Sequence, residues 1–205
     1  MSLYVQVDGA DGCGKSSQAT ALAEWLRSRA CTVLHVREPG STPVGEALRQ
    51  LLLAPATGHL QPVTEALLFA AARAELVAQQ IAPALARGEC VVAERGYLST
   101  LVYQALAADP GLEVDWVFDL TRRVHGPSLP DLVLVLDVAA DVAAARRSNR
   151  RQDRIESRPF AYHERVRAGY QRAVALEPRA RLVDANRPFD AVQADLRAAV
   201  ARLLP

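Results

Sequence analysis

Lysine is nearly missing from this chain: one occurs in 205 residues, and the other 23 basic side chains are arginine. With abundant alanine, that bias points to a GC-rich coding sequence rather than to heat adaptation. Acidic and basic residues nearly cancel, leaving a formal net charge of +1. A balance this even gives no strong field for gathering nucleic acid or an anionic membrane surface. Aromatic residues make up only 5% of the chain, and no uncharged apolar run approaches the length that spans a bilayer. The three cysteines (Cys13, Cys31, Cys90) show no metal-ligand spacing, and the expected compartment is a reducing cytoplasm. No signal-peptide pattern precedes the first apolar run, Leu3-Tyr4-Val5. Internal repeats and low-complexity linkers are also lacking. Hydrophobic residues, at 50%, are ample for one core, so a single domain with a small insert is expected.

Short apolar runs alternate with longer helical patterns. Strands are predicted at 3–7, 32–36, 90–94, 132–137 and 181–184. Helices are predicted at 15–29, 43–53, 63–87, 98–107, 113–125, 139–148, 160–176 and 188–203. A run such as Leu132-Val133-Leu134-Val135-Leu136 is apolar at every position, which suits a strand covered on both faces. The alternation predicts an α/β protein of three layers, a five-stranded parallel sheet flanked by helices. Ligands in such folds sit at the carboxyl ends of the strands. The stretch 149–159 lacks apolar periodicity and reads as an exposed, mobile lid.

The one lysine lies in Gly9-Ala10-Asp11-Gly12-Cys13-Gly14-Lys15-Ser16, followed by Ser17, which fits the G-x-x-x-x-G-K-[ST] phosphate loop. A compact ammonium on a thin stem suits a phosphate cradle better than a planar guanidinium. The glycines let backbone N–H groups approach phosphate oxygens, and the following helix adds its positive end. The segment therefore implies a bound nucleoside triphosphate, with Ser16 on Mg²⁺. Other polar residues cluster after predicted strands: Arg37-Glu38-Pro39-Gly40 with Arg49 beyond, then Glu94-Arg95-Gly96-Tyr97-Leu98-Ser99-Thr100 with Tyr103-Gln104. Phe69 and Arg73 are four apart and share one helix face. Six arginines fall between Arg146 and Arg158, ending in Asp153-Arg154-Ile155-Glu156. No aromatic interleaves that run before Phe160, which argues against a nucleic-acid patch.

Together these segments, in this order and spacing, resemble bacterial thymidylate kinase from the first strand to the last helix. The resemblance implies Mg-ATP-dependent phosphorylation of thymidine 5′-monophosphate (dTMP) by a homodimer of P-loop nucleoside monophosphate kinases. It assigns Phe69 to stacking on the pyrimidine, Arg73 to the base O4 and Gln104 to N3. A core position remains open for Phe69. Arg37, Arg49 and Arg95 would hold the acceptor phosphate, with Glu38, Ser99 and Thr100 beside them, although Arg49 also fits a solvated surface. Tyr103 would disfavour a ribose 2′-hydroxyl or simply fill the helix–sheet interface. Asp11 resembles the acid that meets the 3′-hydroxyl. Lys15 and Arg95 would be catalytic, and Gly12 marks the subtype that takes a further arginine from the lid, here Arg150 and Arg154.

Two residues depart from the family pattern. Glu94-Arg95-Gly96 stands where Asp-Arg-Tyr or Asp-Arg-His is usual, and Cys13 stands where alanine or serine is commoner. Glu94 retains the carboxylate for a Mg²⁺-bound water, and Tyr97 is expected to refill space left by Gly96. Asp137 is a second acid that could lie near the metal, or a structural strand end. The competing functional readings are a P-loop kinase for another small acceptor and a non-catalytic nucleotide-binding module.

Overall fold

The computed structural model describes residues 2–148 and 152–204. Five strands form one parallel sheet: β1 (Leu3–Gly9), β2 (Val33–Arg37), β3 (Cys90–Glu94), β4 (Leu132–Asp137) and β5 (Ala180–Asp184), ordered β2-β3-β1-β4-β5. From β1 the chain passes to β2 on one side, returns through β3, and crosses to β4 on the other. The crevice at that reversal lies beyond the carboxyl ends of β1 and β3. In register, Val7 pairs with Glu94 and Arg37 pairs with Glu94 across β3, so the loops after β1, β2 and β3 emerge together.

Alternating side chains of β4 enter different cores, which explains its apolar run from Leu132 to Leu136. Leu3, Val5, Val7, Leu134 and Leu136 pack with Leu22 and Leu26 of α1 (Lys15–Ser28) and Leu196 of α9 (Phe189–Ala201). On the opposite face, Val133 and Val135 pack with Val166 and Tyr170 of α8 (Phe160–Leu176) and with Leu98, Leu101 and Val102. A third cluster joins Tyr4, Val36 and Val91 to Leu76 and Ile81. Each fully buried leucine contributes about 2 kcal/mol of apolar burial.

The remaining helices position the site. α2 (Pro43–Leu53) starts on Thr42, whose hydroxyl accepts from the Gly45 N–H at 3.0 Å, with Pro43 in the first turn. α3 (Pro62–Leu76) was expected to run unbroken to 87. Instead it passes through a π turn, Val77–Ile81, into α4 (Ala82–Ala86). Pro83 has no N–H to donate, and a one-residue widening ahead of it lets the helix continue. α5 (Tyr97–Thr100) likewise opens into a π segment, Leu101–Leu106, closed by the Ala107 N–H to Val102 O bond of 2.8 Å. α6 (Val114–His125) and α7 (Ala140–Arg147) complete the set.

The described part of the expected mobile lid is packed instead. Arg154, Ile155 and Glu156 are buried, and Ile155 joins the core formed with α8. Arg150 lies outside the described residues.

Candidate active site

A cavity of about 680 Å³ opens at the carboxyl ends of β1, β2 and β3. Most of the expected site converges on it. From the phosphate loop come Asp11, Gly12, Gly14, Lys15, Ser16 and Ser17; from the loops after β2 and β3 come Arg37, Glu38, Glu94 and Arg95. The helices supply Arg49, Phe69, Arg73, Ser99, Thr100, Tyr103 and Gln104. Gly9, Ala10 and Cys13 do not line it. Ala10 and Cys13 are buried beneath the loop, where the small thiol packs into the core.

The phosphate loop is braced from α7, a contact the sequence did not reveal. A Cβ on Gly12, at φ +89°, would come within 2.5 Å of the Ala143 carbonyl oxygen. Only glycine fits that approach. Arg147 is buried and donates to the Asp11 carbonyl, while Arg146 lines the cavity and donates to the Gly12 carbonyl at 3.4 Å. Both tie loop carbonyls to α7. Within the arginine-rich run, sequence alone gave no reason to single them out.

Arg95 stands at the centre, its backbone in the left-handed region at φ +67°. Its guanidinium pairs with Asp11 and donates to Ser99 Oγ at 3.0 Å, with Asp8 Oδ1 3.8 Å away. Asp8, fully buried, receives Ser99 Oγ and the Tyr170 hydroxyl, both at 2.7 Å. Tyr103 donates to Asp11 at 3.0 Å. Burial pushes the Asp11 carboxyl pKa upward, but Arg95, Lys15 and Tyr103 outweigh it and leave the group well below the usual aspartate range. Lys15 reaches the Ala10 carbonyl at 3.0 Å and lies 3.8 Å from Asp11.

Three arginines give one wall an excess of positive charge. Arg37 is half exposed and holds Glu46 with two 3.1 Å contacts, while Arg49 donates to the Pro39 carbonyl at 2.9 Å. The Arg49 pKa is pushed down first by burial and then by Arg37, with Arg95 adding to the effect. Cations that raise one another's energy across a cleft make an anion site.

Deeper in, Arg73 is buried and donates through Nε to Glu38 at 2.5 Å. Its Nη2 reaches the Gly96 carbonyl at 3.1 Å and Thr100 Oγ1 at 3.2 Å. Phe69 is only partly buried and reaches both the adjoining core and the cavity. Gln104 is 1% exposed and donates to Glu65 at 2.9 Å. Glu65 escaped the sequence analysis because an acid in a helix's first turn is commonplace.

Glu94 lies beside Ser16. His35 Nε2 is 3.2 Å from the Glu94 carboxylate. That ring is the main influence holding the Glu94 pKa below the ordinary glutamate value. Ser16 and Lys15 reinforce it against desolvation. One hydroxyl and one carboxylate fit Mg²⁺, which keeps several waters and takes few protein ligands beside nucleotide phosphates. Among the described residues no group of three His, Cys, Asp or Glu side chains forms a metal cage. Asp137 is bound by Arg167 at 2.7 and 3.0 Å and does not line the cavity, which makes it the structural strand end.

Two expectations require correction. Tyr97 does not refill the space beside Gly96; it turns into the core, edge-on to His125 with ring centroids 5.7 Å apart. Gln6 of β1 occupies that space, and a Cβ on Gly96 would come within 2.0 Å of its Oε1. Arg154 does not line the cavity. Its Nε donates to the Leu52 carbonyl at 2.8 Å, Nη1 donates to the Gly58 carbonyl at 3.2 Å, and Nη2 lies 2.7 Å from Glu65.

A phosphate loop in one cleft with Arg37, Arg49, Arg95 and Phe69 fits a P-loop phosphotransferase. A thymidylate kinase family profile matches residues 7–196. The thymidylate kinase of Symbiobacterium thermophilum is 42% identical over 206 residues, covering 100% of this chain and 95% of its own. That of Thermomicrobium roseum is 42% identical over 207 residues, covering 100% and 97%. That of Bordetella pertussis is 42% identical over 203 residues, covering 98% and 95%. The chain belongs to the thymidylate kinase family.

Proposed function

We propose that this chain transfers the γ-phosphoryl group of ATP to dTMP, giving thymidine diphosphate and ADP, with the cavity residues in the roles argued here. The observation that carries this assignment is the single cleft in which Lys15, Ser16 and the loop face Arg37, Arg49 and Arg95, with Phe69, Arg73 and Gln104 beyond. A neutral acceptor gives no use for three convergent guanidiniums. A phosphate monoester does, and its dianion is already a nucleophile near neutral pH. No general base is then required, and catalysis rests on positioning and charge stabilisation.

Lys15 and the loop N–H groups hold the donor phosphates. Arg95, fixed by Asp11 and Ser99, lies between donor and acceptor and stabilises charge on the transferred group. Arg37 and Arg49 orient the acceptor phosphate. Phe69 stacks on the base, and Arg73 supplies a donor to O4, which favours thymine over cytosine with its amino group at that position. Tyr103, held by Asp11, fills the space next to the sugar. Ser16 and Glu94, the latter through water, are the groups that would hold Mg²⁺. Bound there, the metal neutralises donor phosphate charge. Arg150 supplies the lid's arginine. The chain works as one domain with its lid near 149–159, as a homodimer in the cytoplasm. Among the described residues, no helix is long and apolar enough to cross a membrane.

A coupled assay offering dTMP, thymidine, uridine monophosphate or no acceptor tests the assignment. Turnover should be greatest with dTMP and absent with thymidine. Lys15→Ala should lose more than about tenfold in kcat, at least ~1.4 kcal/mol of barrier, while melting like the parent. Equal turnover without acceptor, or preference for thymidine, overturns the reading.

A further inference from the structure

Glu65 sits in the first turn of α3 with 2% exposure, and its two oxygens serve different partners. Oε1 lies 2.7 Å from Arg154 Nη2, an ion contact rather than an aligned hydrogen bond, and accepts from Arg158 Nη2 at 3.1 Å. Oε2 accepts from Gln104 Nε2 at 2.9 Å. The Arg154 guanidinium is itself fixed by the Leu52 and Gly58 carbonyls, and Arg158 lies 4.6 Å over the Tyr162 ring. Glu65 is therefore held on one side by cations that cannot easily move.

A carboxylate between guanidinium groups offers lone pairs only, so the amide group facing it must be NH₂. This fixes which end of Gln104 is free. Gln104 lines the cavity, and its Oε1 is buried without a hydrogen-bond partner. An unpaired buried acceptor is costly unless a ligand donor completes it. Resting on the base-subsite reading above, we infer that Glu65 is a specificity-positioning residue: its Oε2 locks the Gln104 amide so that Oε1 is the acceptor offered to the base. That acceptor matches the N3–H of thymine or uracil. The corresponding ring nitrogen of cytosine carries a lone pair and would face the oxygen unfavourably.

The division of labour between the oxygens gives a sharp test in Glu65→Gln. The guanidinium donors keep an oxygen at the Oε1 position, which places the new NH₂ against Gln104. Two donors then face one another, and Gln104 relieves this by turning its own NH₂ toward the base. The ratio of kcat/KM for dTMP over deoxycytidine monophosphate should fall at least tenfold. The double variant Glu65→Gln/Gln104→Glu should restore it, because the carboxylate at 104 accepts from the new amide and still presents an acceptor. If Glu65→Gln folds and lowers both substrates equally, Glu65 is only structural and the inference fails. If Gln104→Met leaves the ratio unchanged, the base does not sit there, and the subsite reading fails with it. Wild-type protein provides a measurement free of folding effects. With dTMP bound, the thymine N3 imino proton should be shifted downfield and protected from solvent exchange in NMR spectra. An imino proton that exchanges as in free dTMP overturns the inference.

Discussion

On the proposed reading, Arg73 would join specificity to stability in one side chain. Its Nε and Nη2 are taken by Glu38, Gly96 and Thr100. Nη1 has no hydrogen-bond partner among the described residues, and on the proposed reading it would be the nitrogen left for a base carbonyl. Glu38 is equally buried. Desolvation pushes its pKa upward, although Arg73 opposes that shift. Removing the arginine therefore does more than blunt recognition. Arg73→Ala should reduce the preference for thymine over cytosine while changing ATP affinity little. It should also destabilise the fold by about 3–5 kcal/mol, the usual result of stranding a buried charge. Arg73→Ala/Glu38→Gln should recover part of that stability without recovering base preference. Urea unfolding and paired kinetics with the two nucleotides would separate the effects; unchanged stability in Arg73→Ala would show that the ion pair does not support the fold.

At the scale of elements, the sheet was legible because each strand is a short apolar run ending in chemistry: Asp8-Gly9, Arg37-Glu38 and Glu94-Arg95. The phosphate loop and the Phe69–Arg73 face were legible for similar local reasons. Features depending on another element's approach were not. The stretch 63–87 reads as one helix, and nothing local to Pro83 shows that a π turn precedes it. Arg154 looked like its neighbours in an arginine run, and only folding brings it to Glu65 and two carbonyls. Gln6 is the clearest case. A glutamine in the first strand reads as a minor blemish, yet it occupies the space beside Gly96, ninety residues later. Gly96 is extended at φ −174°, so contact rather than backbone strain excludes a side chain there. Gly96→Ala should destabilise by about 1–3 kcal/mol through overpacking, and Gln6→Ala in the same chain should remove most of that cost. A double-mutant cycle tests the coupling. Additive penalties would show that Gln6 yields without resistance.

Across the whole molecule, the cleft is assembled at the carboxyl ends of β1, β2 and β3, then bordered by residues on either side of the connection between α7 and α8. That segment has two ends with different attachments. At one end, Arg146 and Arg147 reach phosphate-loop carbonyls. At the other, Arg154 and Arg158 meet Glu65, and the Arg154 N–H donates to the Leu53 carbonyl at 3.1 Å. An arginine already held by two carbonyls and a carboxylate is poorly placed to follow a phosphoryl group through its transition state. It is well placed to anchor the segment against α2 and α3, where Leu53 and Phe69 line the cavity. The two arginines first assigned to catalysis should therefore separate. Arg154→Ala should lower the melting temperature and raise KM for dTMP, leaving kcat within about threefold, because the interaction lost is one made equally in ground and transition states. Arg150→Ala should melt like the parent and lose at least about tenfold in kcat with little change in KM, the pattern of an interaction made chiefly in the transition state. Steady-state kinetics beside calorimetry would decide. A large kcat loss in Arg154→Ala with an unchanged melting temperature would return that residue to the reacting phosphates and require the anchored segment to release before transfer.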